Sequence, residues 1–346
     1  MISTSGGHGD LLARDETAAG GADRLIRRAP VSTTISIIVI GRDEGERAER
    51  AVRSAFRALA ELEPAARDAS EVIFVDSGSI DDSPELAARA GAEVVRIPRD
   101  GASAARARNA GLRVARGRWV HFVDGDMEVC EGWLPIALES AENEQLDAVA
   151  GRIVEREEGA TIWTRMFGHD WSASGARGAD IGGAGLWKRA TLCALGGYDE
   201  SLIVGEDPDL CRRALAAGYR TAARDEDMVI HELGLEGPLG WYRRAVAVGR
   251  SAAWTALNHG DPRLVWQRFG QPLVFAALAV ALVAVFGAQG LAVIGAGAAA
   301  LITRRAWIDR SRGLSTLDAF AHGAHVYAVK VPQLVGGVQT LLSRMR

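Results

Sequence analysis

Apolar runs of strand length alternate with stretches of helical period through the first third of the chain. Residues 35–40 are apolar except for Ser36 and stop at Gly41-Arg42-Asp43-Glu44, which predicts a buried strand. Ala48, Val52, Ala55, Phe56 and Leu59 then recur at helical spacing. Residues 72–75 form a second strand running into Asp76-Ser77-Gly78-Ser79-Ile80-Asp81, and Ser83 before Pro84 reads as an N-cap with proline at the first helical position. A third strand follows at 93–97, a third helix at 102–115 and a fourth strand at 119–123. Such alternation predicts α/β architecture: a doubly wound, mostly parallel sheet with helices on both faces. Ligands of these sheets bind beyond the carboxyl ends of the strands, where strand order reverses. Three of the four strands end in an acid there, at Asp43, Asp76 and Asp124.

The fourth strand is the most informative. Arg118-Trp119-Val120-His121-Phe122-Val123 stops at Asp124-Gly125-Asp126, delivering two carboxylates to one strand tip. Asp-Gly is also a turn dipeptide. Two carboxylates about 4 Å apart repel by roughly 1 to 4 kcal/mol outside the deep interior, so the pair favours a cation between them. Oxygen ligands select a hard ion, Mg2+ or Mn2+, which completes its shell with water and phosphate.

The second half is less regular. A fifth strand is expected within 147–155, and 161–171 reads as aromatic and irregular, with Trp163, Phe167 and Trp171 at spacing four, a stripe typical of core. Gly205-Glu206-Asp207-Pro208 precedes a helix of Leu210, Ala214, Leu215 and Ala217; acids there also suit a helix dipole. Residues 228–231 form a short strand ending in His231, and a basic amphipathic helix opens at Gly240 and runs to Asn258.

Membrane association enters through residues 273–302, thirty positions without an ionisable group where roughly 20 suffice to cross a bilayer. Arg263 and Arg268 precede them, and Arg304, Arg305, Arg310 and Arg312 follow, so both flanks look cytoplasmic. A break at 287–290 would make a hairpin; one long tilted helix is the competing choice. Residues 314–342 read as an interfacial helix or a second, weaker span. Residues 1–32 read as a disordered leader without a secretory core. The expected layout is therefore that leader, a catalytic domain at 33–260, and a membrane-anchoring region at 261–346. A formal net charge of -4 gives no reason to expect nucleic acid, and three scattered cysteines suggest neither disulfides nor a zinc site.

Several ordered blocks carry a family resemblance. Val75-Asp76-Ser77-Gly78-Ser79-Ile80-Asp81, Ala107-Arg108-Asn109-Ala110-Gly111 and Val123-Asp124-Gly125-Asp126 resemble the nucleotide-sugar half of inverting family 2 glycosyltransferases of the GT-A fold. Gly182 to Lys188, Leu195-Gly196-Gly197-Tyr198-Asp199-Glu200 and Gly205 to Arg213 extend the likeness, with Asp43-Glu44 where the family usually has Asn-Glu and Ile80 where it usually has Thr. The resemblance implies transfer from a nucleotide-diphosphate sugar to a lipid-linked or polysaccharide acceptor. It implies nucleotide-sugar contacts from Asp43, Glu44, Asp76, Ser79, Arg106, Asn109, Asp124 and Gly125, and a metal on Asp124 and Asp126 with His231 as third ligand. A solvated helix face is the other reading of Arg106 and Asn109. Asp207 is implied as the general base with Glu206 as contender, and Gly183 and Trp187 as acceptor contacts. A cytoplasmic catalytic domain on the inner membrane, in contact with membrane lipid, completes the expectation. A nucleotidyltransferase of similar topology would usually carry a basic glycine loop after strand one, whereas Gly41-Arg42-Asp43-Glu44 is acidic. A non-catalytic scaffold would be expected to have lost Asp124, Asp126 or Asp207, and all three are present.

Overall fold

A computed structural model describes residues 34–156, 160–172, 181, 183–202 and 204–344, without the side chains of 170–172. The leader expected at 1–32 lies outside the described residues. Strands β1 (Ile35–Gly41), β2 (Glu71–Asp76), β3 (Glu93–Arg96) and β4 (Trp119–Asp124) are parallel neighbours in the order β3-β2-β1-β4. Their connections carry α1 (Glu46–Ala60), α2 (Pro64–Asp68), α3 (Ser83–Arg89) and α4 (Ala104–Val114). Ile35, Ile37, Ile38, Val39, Ile73, Phe74, Val120 and Phe122 are fully buried. Strands covered on both faces need apolar side chains on both, which is why the sequence shows unbroken runs.

The sheet continues through a less regular half made of β5 (Met127–Val129), α5 (Trp133–Asn143), β6 (Ala148–Glu155), α6 (Ile162–Ser172), β7 (Leu186–Lys188), α7 (Arg189–Ala194), α8 (Glu206–Ala216) and β8 (Thr221–His231). The full order is β3-β2-β1-β4-β7-β6-β8-β5. β7 is antiparallel to both β4 and β6, β8 parallel to β6, and β5 antiparallel to β8. The sheet is thus parallel up to β4 and mixed beyond it. β5 closes the strand order at the opposite end from β3, yet starts three residues after β4 ends. The sheet therefore curls, carrying the end of β8 back to the β4 tip.

Three local outcomes differ from the periodicity. The stretch 161–171, expected to be irregular, lies largely in helix α6 (Ile162–Ser172). β8 extends to eleven residues, with only Met228 and Val229 buried alongside His231. Ser83 is the first residue of α3 and not its cap; its Oγ accepts from the backbone N–H groups of Glu44 and Gly45, satisfying the entry to α1. Cys130, Cys193 and Cys211 are all free.

The carboxyl-terminal helices are α9 (Pro238–His259), α10 (Pro262–Val265), a π-helical turn at Trp266–Gly270, α11 (Gln271–Phe286), α12 (Ala288–Ser311), α13 (Thr316–Ala328) and α14 (Lys330–Arg344). The stretches Pro262–Phe286 and Ala288–Ser311 are long and apolar enough to cross a membrane. They are separate helices that break at Gly287, which takes φ 53°. α11 is apolar all round and buries none of its residues, a surface suited to lipid and not to water. α13 and α14 are each shorter than a bilayer crossing. α14 packs along α9, α13 against α6 and α12, and a small second core of Phe167, Ala245 and Val329 joins them.

His121, fully buried in the middle of β4, gives the fold an acid limit. Burial pushes its imidazole down to about 4, so the unfolded chain takes up the proton first as pH falls. The stability held by the neutral ring is complete above about 6.5 and lost by about 4, amounting to about 3 kcal/mol. His121→Leu is expected to flatten the melting temperature over that window, and a slope equal to the native one would assign it to another group.

Candidate active site

The register of the parallel strands places the acids. Gly41 of β1 faces Asp76 of β2, and Ile40 faces Asp124 of β4, so both carboxylates leave the sheet at one level beside the end of β1. Asp76 is buried, and its Oδ1 accepts from the Ser79 N–H at 3.0 Å, holding the turn after β2. Ser79 Oγ accepts from the Asp43 N–H at 2.9 Å, and Asp43 Oδ1 accepts from the Ile80 N–H at 2.8 Å. The loops after β1 and β2 are therefore stitched together. Asp43 sits at φ 57°, where Asp and Asn are enriched, and its carboxylate pairs with Arg99 at 2.9 Å. The hydrogen bond from Arg99, with that from Ile80, lowers the Asp43 pKa.

Between these loops and the start of α4 lies a cleft of about 230 Å³ lined by Glu44, Ser77, Ser103, Ala104, Asp124 and Asp126 among others. Gly125 lies at its base; its N–H donates to Ile40 O at 2.7 Å, and a Cβ there would meet Glu44 Cγ at 2.8 Å. Burial raises the Glu44 carboxyl to about 7, opposed by Arg47 and reinforced by Asp126. A carboxyl poised near neutrality in a cleft beside two further acids is the electrostatic signature of a functional site.

Arg108 occupies the far side of this acid group, and no sequence argument assigned it a role. Its guanidinium is 2% exposed. Nη2 donates to Asp124 Oδ1 at 2.8 Å, while Nη1 donates to Glu206 Oε1 at 2.9 Å and Asp207 Oδ1 at 3.2 Å. Asp207 and Glu206, in the first turn of α8, are thereby brought to Asp124 at the β4 tip. Gly183 closes in behind: a Cβ there would fall 2.3 Å from Arg108 Nη2 and 3.1 Å from Asp207 Oδ2. Loss of solvent raises the Asp124 pKa, Arg108 opposes it, and Asp126 adds to it.

Asp126 faces the other way. The Met127–His231 register brings the end of β8 to the β4 tip, where His231 Nε2 lies 3.4 Å from Asp126 Oδ2 and Nδ1 lies 2.7 Å from Glu155 Oε2. Burial disfavours the imidazolium, but Asp126 and Glu155 outweigh that and raise His231 to about 9. His231 is thereby held against Asp126 at the β4 tip, with Glu155 fixing its other ring nitrogen. Among the described residues, no group of three or more His, Cys, Asp or Glu side chains converges to hold a metal ion. Asp124 and Asp126 nonetheless line one cleft, 32% and 28% exposed. Two carboxylates that leave further positions to water and phosphate suit Mg2+ or Mn2+.

Two expectations are corrected. Trp187 is 1% exposed, paired with Val120 and Ala148 within the sheet, so its ring cannot stack on a sugar. Asn109 is buried with its amide committed to Tyr198: Nδ2 donates to Tyr198 O at 2.9 Å and to Glu200 Oε1 at 3.1 Å, and Oδ1 accepts from the Tyr198 N–H at 2.9 Å. It clasps the loop before α8 instead of meeting a nucleotide. Arg106 lies on the exposed side of α4, 3.8 Å from Glu200, and is not among the residues lining the cleft. In the aromatic stripe, Phe167 is buried in the second core and Trp163 packs on Trp241 at 6.2 Å between centroids; the Trp171 side chain lies outside the described residues, as does Gly182.

A half-parallel, curled sheet whose strand tips gather acids opposite a helix N-terminus is a GT-A-like architecture. Residues 36–190 match the family model described as Glycosyl transferase family 2. It is similar to the pre-mycofactocin glycosyltransferase of Mycobacterium tuberculosis, 31% identical over 204 residues, 55% of this chain and 43% of that protein. It is also similar to the uncharacterized glycosyltransferase EpsJ of Bacillus subtilis, 38% identical over 82 residues, 23% of this chain and 24% of that one. The chain thus spans less than half the length of these curated relatives. In structure it resembles the mannosyltransferase PcManGT of Pyrobaculum calidifontis, solved with GDP-Man and Mn2+, with TM-score 0.62, 20% identity, and coverage of 89% of this chain and 86% of that one.

Proposed function

We propose that the protein is a membrane-anchored, inverting glycosyltransferase that moves a sugar from a nucleotide-diphosphate donor to a hydroxyl of a lipid-linked or polysaccharide acceptor, with Mn2+ or Mg2+ as cofactor. The observation that carries this reading is the convergence of Asp124, Glu206 and Asp207 on one guanidinium beside the cleft at the strand tips. Inversion is a direct displacement at the sugar carbon. It needs a base on the acceptor side and charge stabilisation on the diphosphate side. Asp207, backed by Gly183, takes the acceptor proton, with Glu206 beside it. Glu44, Ser77 and Ser103 line the donor cleft, while Asp43, Asp76 and Ser79 shape the loops around it. A divalent ion on Asp124 and Asp126 would stabilise the negative charge that grows on the leaving diphosphate.

We place the domain of residues 33–260 on the cytoplasmic face of the inner membrane, anchored through 261–346. Arginines flank both ends of the apolar stretch, which favours a cytoplasmic side for each end, and the helix break at Gly287 fits a chain that enters and returns. Anchoring raises the local concentration of a membrane-borne acceptor.

The test is a thermal-shift screen of UDP-, GDP- and dTDP-sugars against the full chain in detergent, with and without Mn2+. One nucleotide class with Mn2+ is expected to raise the melting temperature by several degrees, since about 2.7 kcal/mol accrues at a ligand concentration one hundred times its Kd. Equal curves for every sugar nucleotide would rule the donor assignment out.

A further inference from the structure

Arg108 touches acids from both halves of the site. It stands on α4, in the nucleotide-sugar half, and reaches Asp124 with one terminal nitrogen and Glu206 and Asp207 of α8 with the other. Its orientation leaves little choice. The Tyr198 ring centroid lies 5.3 Å from Cζ, Gly183 leaves no room for a methyl group beside Nη2, and the side chain is 2% exposed. Taking a buried cation from among three carboxylates leaves their charge less compensated, even with Arg244 also acting on Asp124 and Glu206. The planar fork is what permits two elements to be held at once; an ammonium at this depth would serve as a single point charge.

We propose that Arg108 is a positioning residue for the transfer step: by bridging Asp124 to Glu206 and Asp207, it sets the base at a defined distance from the donor's reacting carbon before the acceptor arrives. This rests on the glycosyltransferase reading given above. A bridge of this kind differs from a substrate contact. It makes the donor-side acid and the acceptor-side base one unit, so a shift of α8 relative to β4 disturbs the line of displacement even with the donor fully bound.

The first test is Arg108→Lys in the full-length membrane-bound protein. The lysine keeps the charge and loses the fork, so kcat is expected to fall roughly 100-fold, the scale on which about 1 Å of misplacement acts. Donor Kd and KM are expected to stay within about threefold of native, since the lysine keeps a positive charge beside Asp124 and the loops lining the donor cleft are unchanged. Native kcat, or a matched loss of donor affinity and kcat, would overturn the positioning role. The second test needs no substrate. Asp207→Asn is expected to lower the melting temperature of the native protein, because it takes a negative charge from beside a buried cation. In an Arg108→Met background the same change is expected to cost much less or to raise it, because it relieves repulsion among the remaining acids. An equal destabilisation in both backgrounds would disprove the bridge. If the Met variant does not fold, the cycle is run on Arg108→Lys, where the destabilisation by Asp207→Asn should shrink. A native protein that transfers no sugar from any nucleotide would refute the glycosyltransferase reading, while the melting cycle still decides whether the bridge exists.

Discussion

Asp207→Asn is expected to lower sugar transfer by about 10²- to 10⁴-fold, the usual contribution of a general base, while leaving donor affinity within about threefold of native. The carboxamide has the shape of the carboxylate and can still offer an oxygen to Arg108, so the geometry of the site survives. It cannot take the proton of an acceptor hydroxyl. The side chain is 20% exposed beside Gly183. Single-turnover kinetics with separately measured donor binding checks the split. Transfer within a few-fold of native would move the base role to Glu206, whose carboxylate lies 2.9 Å from the same guanidinium nitrogen. A collapse of donor binding would instead put Asp207 in the donor site.

Asp126→Ala is expected to abolish both transfer and the Mn2+-dependent part of nucleotide binding, with the protein still folded. Asp126 is one of two carboxylates that face the cleft from the β4 tip, and truncation leaves Asp124, already held by Arg108, as the remaining acid there. The fold tolerates the change because repulsion on Asp124 and Glu44 is relieved together with the loss of the His231 contact. Titration of Mn2+ and nucleotide by calorimetry, alongside a melting curve, checks both statements. Undiminished Mn2+-dependent nucleotide binding would exclude Asp126 from the metal role.

Much of the donor half was legible in the residue pattern. β1, β2 and β4 are buried on both faces, so their apolar runs mark them without ambiguity, and the acids that end them stand out because polarity changes within one residue. The register then aligns Asp76 and Asp124 beside the end of β1, as a parallel sheet requires. The errors arose where direction mattered more than spacing. Arg106, Arg108 and Asn109 lie within one turn of α4, and a helix rotates about 100° per residue. Arg106 therefore faces solvent, Arg108 the acids, and Asn109 the Tyr198 backbone. Trp187 sits in a three-residue strand among glycines, too short to show a period, and pairing with β4 and β6 buries it.

The sequence by itself determined the strand and helix alternation, the acids at the strand tips, the acid-headed helix at Glu206 and the apolar stretch that α11 and α12 make, because each is a local record of burial or of its abrupt end. Only the tertiary structure decided that Arg108 would bridge the two halves, that His231 would be held between Asp126 and Glu155, and that Trp187 and Asn109 would serve the core. Those outcomes depend on the curl of the sheet and on the rotation of α4 against α8. Both are set by packing between segments distant in the chain, which no local pattern of residues encodes.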